Sequence, residues 1–364
     1  MKWLAALALL AGTAAADPAP AAPPDAIKLG GYLELFYAYN FDRPRNGVTN
    51  LRAFDDRHAS FVLQDAVLEG TWTHGPVSGR IALQAGEAPD LYYQGEPVQP
   101  ATGSAPPRGP DEFRHIQEAY FAWAAPQSIE VAGGLFLSPI GPETVAEHSV
   151  WNWSRSNLFF SLPFYHAGVR LKRPLGDSGW SAIAMIANGW NNTIDNNHVP
   201  SVDLIAAYAK GDWLAQVQYF GGVERNPGML GEPWRHLGDA YLQGPLAPKL
   251  TFLVHADGGF EQGSAGTSSW IGGAGYLKLD LCKVWNVAVR GDYLHEYGAA
   301  PILLPVAWVA SGTATLTYAP ADGVLFRLEA RHDQAAADAY FAGDLVTPTR
   351  RYQDTVTLGA TAWF

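Results

Sequence analysis

The feature that most constrains this chain is its final stretch, in which Val356, Leu358, Ala360, Ala362 and Phe364 alternate with Thr355, Thr357, Gly359, Thr361 and Trp363 up to the last residue. Alternation with period two puts the two sets on opposite faces of a strand, one face apolar and the other polar or small. Residues 28–41 repeat the pattern: Leu29, Leu33, Leu35, Tyr37, Tyr39 and Phe41 share one face, while Tyr32, Glu34 and Asn40 share the other. A chain that begins and ends on such strands, the last carrying a terminal phenylalanine, has the form of a transmembrane barrel with its assembly signal at Phe364.

The N-terminus predicts export. Lys2, the apolar run from Leu4 to Ala11 and the Ala14-Ala15-Ala16 site before Asp17 make residues 1–16 a cleavable signal peptide. The run is too short for a spanning helix, which needs about 20 apolar residues. The proline- and alanine-rich residues 17–27 read as a flexible periplasmic lead-in, and 28–364 as the barrel. No cysteine follows the cleavage site, and Cys282 has no partner in the chain, so neither a lipid anchor nor an internal disulfide is expected.

Sixteen alternating segments are predicted, near 28–41, 57–73, 79–86, 114–123, 128–137, 166–173, 180–189, 202–209, 213–222, 236–243, 249–257, 269–281, 285–297, 306–319, 324–332 and 352–364. Brief connectors such as 74–76, 125–127, 211–212 and 321–323 take turns with long ones such as 42–56, 87–113, 138–165, 190–201, 223–235 and 333–351. Short periplasmic turns and long extracellular loops are what an antiparallel up-and-down outer-membrane barrel shows, with both termini in the periplasm. A soluble β-sandwich has no reason for that alternation. The mean hydropathy of −0.06 does not oppose a membrane location, because barrels carry their apolar residues on alternate positions. Aromatics at strand ends, among them Tyr39, Phe41, Trp72, Phe121, Trp123, Trp213, Tyr219, Trp270, Tyr276, Tyr293, Tyr318 and Phe364, are expected to form the two interfacial girdles.

The opposite face is charged. Arg80, Glu130, Arg170, Lys172, Arg290, Asp292, Arg327, Glu329 and Arg331 sit between apolar neighbours and are the candidate pore-lining residues, with Glu69, Asp65, Glu118 and Asp257 adding acid. Sixteen strands leave an aqueous channel where eight would be filled by side chains. Lumen salt bridges that merely brace the wall are the alternative reading of each pair. The connector 138–165 is long and rich in Trp, Phe and Leu, which predicts that it folds inward as a constriction. Glu143, Glu147 and Arg155 are its candidate charged residues.

At that connector the chain resembles a known family. Gly134-Leu135-Phe136-Leu137-Ser138-Pro139-Ile140-Gly141-Pro142-Glu143, then Asn152-Trp153-Ser154-Arg155-Ser156, Pro163-Phe164-Tyr165-His166-Ala167-Gly168, Asn188-Gly189-Trp190, Asp195-Asn196-Asn197 and Tyr219-Phe220-Gly221-Gly222-Val223-Glu224 are similar to stretches of the β-barrel porin family described as OmpL-like. The resemblance covers about residues 30–225 and implies a transport protein of the outer membrane without implying a solute; Val223 departs from the family pattern, which more often has proline there.

The expected function is therefore passive diffusion of small hydrophilic solutes or ions through a water-filled lumen in the outer membrane of a Gram-negative bacterium. The expected partners are outer-membrane lipid and lipopolysaccharide, the barrel-assembly machinery, small hydrophilic solutes and, as a further candidate, other copies of the chain. A net charge of −11, or −12 once Lys2 leaves with the signal peptide (−11 − 1), argues against nucleic acid. An outer-membrane hydrolase is one rival, because His148, His166, His198 and His332 lie in or near outer loops with Ser149, Ser154 and Asp195. No nucleophile-elbow or metal-protease spacing accompanies them, so no catalytic residue, cofactor or metal is expected. The other rival is an adhesion or scaffold barrel with a blocked lumen; Asp195-Asn196-Asn197 lacks the Gly and Glu of a calcium loop. Mixed charge in the lumen predicts weak ion selectivity, with neutralisation of Arg170 plus Arg290 moving it toward cations.

Overall fold

The computed structural model describes residues 25–225, 233–263, 266–298, 302–343 and 347–364. The expected signal peptide, and all of the lead-in before Asp25, lie outside these residues. Sixteen strands form one closed antiparallel barrel in which each strand pairs with its neighbours in sequence and β1 (Ala26–Asn40) pairs with β16 (Tyr352–Trp363). Closure leaves no free edge, so every strand's backbone groups are met within the sheet, the condition for crossing a bilayer with strands. The intervening strands are β2 (Ser60–His74), β3 (Val77–Ala85), β4 (Ile116–Ala125), β5 (Ile129–Leu137), β6 (Tyr165–Pro174), β7 (Trp180–Ala187), β8 (Ser201–Lys210) and β9 (Trp213–Val223). They continue with β10 (Trp234–Ala247), β11 (Leu250–Gly263), β12 (Gly266–Asp280), β13 (Trp285–Gly298), β14 (Trp308–Ala321) and β15 (Val324–Ala335).

All sixteen predicted strands are present, most of them displaced by one to four residues at their ends. The lead-in expectation overshot, because Ala26 and Ile27 pair with Thr73 and Trp72 and belong to β1. The outward face is apolar: Leu33, Leu35, Ile81, Val169, Val289, Leu328 and Leu358 are exposed, while Glu34, Arg290, Arg327 and Thr357 are buried on the lumen side. The phase read from the sequence is thus the phase of the barrel. Two aromatics assigned to the girdles, Trp270 and Tyr276, instead point into the lumen and are buried. They sit on even positions of β12, in step with the inward Gly272 and Ala274, and strand parity overrides the preference of aromatics for interfaces.

The connectors sort as expected, with one departure. Turns at the end where β1 begins and β16 finishes are two to five residues long, whereas loops at the other end include 41–59, 86–115 and 138–164. Between β11 and β12, however, both strands continue to the outer end and only 264–265 separate Gly263 from Gly266. Inward-facing Glu261 anchors that extension by accepting from the guanidinium groups of Arg225 and Arg235. Inside the long connector 86–115 a short helix, α1 (Glu87–Tyr93), buries Tyr92 and Tyr93. Its signal was present in Glu87 and Asp90, acids in a first helical turn, but seven residues are too few for periodicity to show.

Candidate pore-lining site

The loop 138–164 lies inside the barrel. It contains two short 3-10 turns, Glu147–Ser149 and Asn157–Ser161, and its polar atoms are met by inward side chains of strands around much of the wall. Glu34 on β1 accepts from the Glu147 amide at 2.7 Å, and Gln64 on β2 donates to Glu147 at 2.8 Å. On the same side of the barrel, two strands from β1, Glu329 on β15 accepts from the amides of Trp153 and Ser154 at 2.6 and 2.9 Å. Arg327 donates to the carbonyls of Glu147 and Val150, and Arg331 to that of Arg155 at 2.5 Å. On β13, Arg290 donates to the Ser154 and Arg155 carbonyls, and Asp292 accepts from Asn157.

A loop without regular structure has backbone groups that must find partners when buried, and here guanidinium and carboxylate groups take the place of a sheet. Arg155 completes the arrangement from within the loop, donating to Glu147 at 2.7 Å and to the carbonyls of Thr144, Val145 and Trp153. Glu143 accepts from the amide and hydroxyl of Ser156 and pairs with Arg290 at 3.3 Å. All three loop residues singled out in the sequence are therefore in the network.

Close packing accompanies it. A Cβ added at Gly359 would sit 2.2 Å from the Trp153 ring, so only glycine at this inward position of β16 admits the indole. Leu158 packs likewise over Gly272 on β12. Neither tryptophan 153 nor the two glycines could be tied together from the sequence, because they are distant in the chain and meet only through the closed barrel.

The candidate pore-lining residues divide into two groups. Arg290, Asp292, Arg327, Glu329 and Arg331 point inward as expected, yet they are buried beneath the loop and bonded to it. Arg80, Glu130, Arg170 and Lys172 lie on the wall that the loop leaves uncovered. Arg80 stands between Glu69 and Glu118, with Glu118 at 3.0 Å. Arg170 is 3.4 Å from Glu130 with its guanidinium 4.8 Å over the Phe136 ring, and Lys172 is exposed. On the β9–β12 side a cavity of about 800 Å³ opens near the short turns, bounded by Trp151, Leu214, Gln243, Thr251, Lys249 and Lys278. The Lys278 ammonium lies 5.3 Å over the Trp151 ring.

The outer end is packed by other loops, whose partners lie far away in the chain. Arg52 of loop 41–59 is buried and pairs with Asp55 at 2.7 Å and with Asp333 at 2.9 Å. Phe54 of the same loop packs against Phe159, and Tyr93 of α1 stacks on Tyr165 at 4.4 Å. Trp190, Leu304 and Tyr340, from three further loops, join a cluster with Ile140, Leu162 and Phe220. Buried acids accompany them: burial raises Asp56 to about 6 and Glu224 to about 7. Glu224 accepts from the Trp190 amide and the Ser201 hydroxyl, both at 2.6 Å. Glu96 is raised by burial too, and it accepts from the Thr193 hydroxyl at 2.6 Å.

Residues 26–364 match the model of the family described as "Putative beta-barrel porin-2, OmpL-like". The chain belongs to this family. Among solved structures, an anion-selective porin from Comamonas acidovorans shares 11% identity with this β-barrel porin family member at a TM-score of 0.62, over 94% of this chain and 100% of the other. A loop-deletion form of OmpT, an outer-membrane protein of Vibrio cholerae, gives 0.59 at 9% identity over 94% and 100% of the two chains. The outer-membrane channel DcaP of Acinetobacter baumannii gives 0.57 at 12% identity over 93% and 97%. At such identities the likeness is one of fold, and the fold is that of outer-membrane porins. No curated protein matches the sequence.

Proposed function

We propose that this member of the porin family conducts small hydrophilic solutes or ions passively across the outer membrane of a Gram-negative bacterium, with loop 138–164 as the constriction. The observation that carries the reading is the pinning of that loop across a polar lumen by Arg290, Arg327, Glu329 and Arg331. A loop held at so many points narrows the lumen at a fixed place, and the free cross-section there controls flow. The path then runs along the uncovered wall of Arg80, Glu130, Arg170 and Lys172. Both signs are present on this wall, which fits weak selectivity and solutes that are themselves dipolar. The packed outer loops favour a second reading, a barrel closed until those loops lift. Lipopolysaccharide around the apolar belt, delivery by the barrel-assembly machinery and association with further copies of the chain belong to the same proposal.

The test is single-channel recording of the purified protein and of a form lacking residues 143–158. Conduction by the wild type, with a larger unitary current in the deletion form, is the expected result. Equal currents from two folded barrels would rule out the constriction, and current from the deletion form alone would favour the closed barrel. Silence from both folded forms would remove the channel reading.

A further inference from the structure

The inward faces of β10 and β11 carry a second cluster that the constriction does not use. Asp239, His255 and Asp257 are all buried, and one donor atom from each lies within 4.8 Å of the others. His255 Nε2 is 2.5 Å from Asp239 Oδ2. The paired strands explain the grouping: Asp239 stands opposite Asp257, and His255 is two residues away on the same face.

The cluster differs from several of the buried carboxylates of the lumen. Glu143, Glu147, Asp292 and Asp333 each have an arginine partner. Among the described residues, no arginine or lysine pairs with Asp239 or Asp257, and the Oδ1 atom of each is buried without a hydrogen-bond partner, as is Nδ1 of His255. An independent residue points the same way. Asp203 on β8 is fully buried, neither of its carboxylate oxygens is partnered, and Asp239 is the charged group whose field acts on it. The sheet brings it there, since Asp203 stands opposite Phe220 and Phe220 opposite Leu237, two residues from Asp239 on the same face. Three carboxyl groups and one imidazole gather in a buried place with polar atoms left unpartnered, and buried polar groups of this kind are hydrogen-bonded, paired or coordinate metals.

We infer that Asp239, His255 and Asp257, with Asp203 beside them, form a binding site for a divalent transition cation of the zinc class. One imidazole with carboxylates is a donor set for such ions, which take nitrogen and oxygen at about 2.0–2.2 Å. Donors around a tetrahedral ion then lie roughly 3.3–3.6 Å apart, so binding widens the 2.5 Å His255–Asp239 contact, while the donor atoms already lie within 4.8 Å of one another. The proton between His255 Nε2 and Asp239 Oδ2 leaves to solvent as the ion takes its place. The site sits under the constriction loop, because Ser161 donates to Asp257 at 2.6 Å and Gly141 lies against the imidazole. A bound ion therefore clamps the end of the loop that follows its anchored middle.

Zinc content of the folded, chelator-washed full chain, equilibrated with zinc and desalted, tests this against the His255→Gln and Asp257→Asn double variant. Heat-modifiable migration checks that both barrels are closed. One retained zinc per wild-type chain and none in the variant, with protons released on binding, is expected. A wild type that retains none, or a folded variant that retains as much, overturns the site. Should the variant fail to fold, cobalt added to the wild type decides: a visible spectrum of a four-coordinate ion supports the site, and its absence refutes it. Neither readout depends on conduction, so failure here leaves the channel reading standing.

Discussion

Arg170 and Arg290 occupy the same phase of their strands and carry the same charge, yet their surroundings give them different work. Arg170 faces the uncovered lumen beside Glu130, where solvent screens the pair and it contributes little to stability. In the proposed channel its charge is available to passing ions. Arg290 is fully buried and bonded to Asp292, Glu143, Thr313 and two loop carbonyls. Removing one member of such a network strands the others, at about 3–5 kcal/mol. Arg170→Gln should therefore move the reversal potential in a salt gradient toward cations with thermal stability unchanged. Arg290→Gln should lower the unfolding temperature and make the open current noisier as the loop loosens. An Arg290 variant as stable and as quiet as the wild type would show that the buried network does not hold the loop. Gly359→Val gives a further check at this scale, since the added atoms overlap Trp153 and should displace the loop.

The elements of interest are the loops, and their docking should depend on pH. Burial raises Glu224 from an ordinary value near 4.5 to about 7, and the protonated form is thus favoured in the docked state. The docked state then holds more protons than the open one between those values. Docking is consequently firmest below about 4.5 and weakens as the pH rises through about 7. Raised Asp56 and Glu96 act in the same sense in two other loops. Limited proteolysis of loop 188–200 should accelerate between pH 5 and 8, and Glu224→Gln, which stays neutral, should flatten that rise. Cleavage rates independent of pH would count against loops tethered by their acids. The strands themselves were legible in the sequence because period two is a local signal repeated sixteen times. Helix α1 and the packing of loops 41–59 and 86–115 were not, because their partners are residues such as Asp333 and Tyr165, far away in the chain.

For the whole molecule, assembly hinges on joining the two ends of the chain. The Phe364 amide donates to the Gly31 carbonyl at 3.1 Å and the Gly31 amide to the Phe364 carbonyl at 3.3 Å, so the last residue continues the β1–β16 ladder. Its side chain is exposed on the lipid face. Deleting Phe364 should reduce the yield of heat-modifiable, outer-membrane barrel, and normal assembly of the shortened chain would remove its role as a signal. The sequence alone determined the strand count, the face of most strand residues and, apart from the β11–β12 connection, the short and long ends, since a strand that slipped by one residue would turn Arg290 or Arg327 toward lipid at about 2–4 kcal/mol each. It also marked Glu143, Glu147 and Arg155 as the charged residues of the inward loop. What those inward charges touch was decided only by closure of the barrel. Closure sets β13 to β16 beside β1, brings Arg290, Arg327, Glu329 and Arg331 around one loop, and leaves Asp203, Asp239, His255 and Asp257 together without a guanidinium. Such neighbours are separated by scores of residues along the chain, and no local pattern records a distance that the barrel's circumference creates.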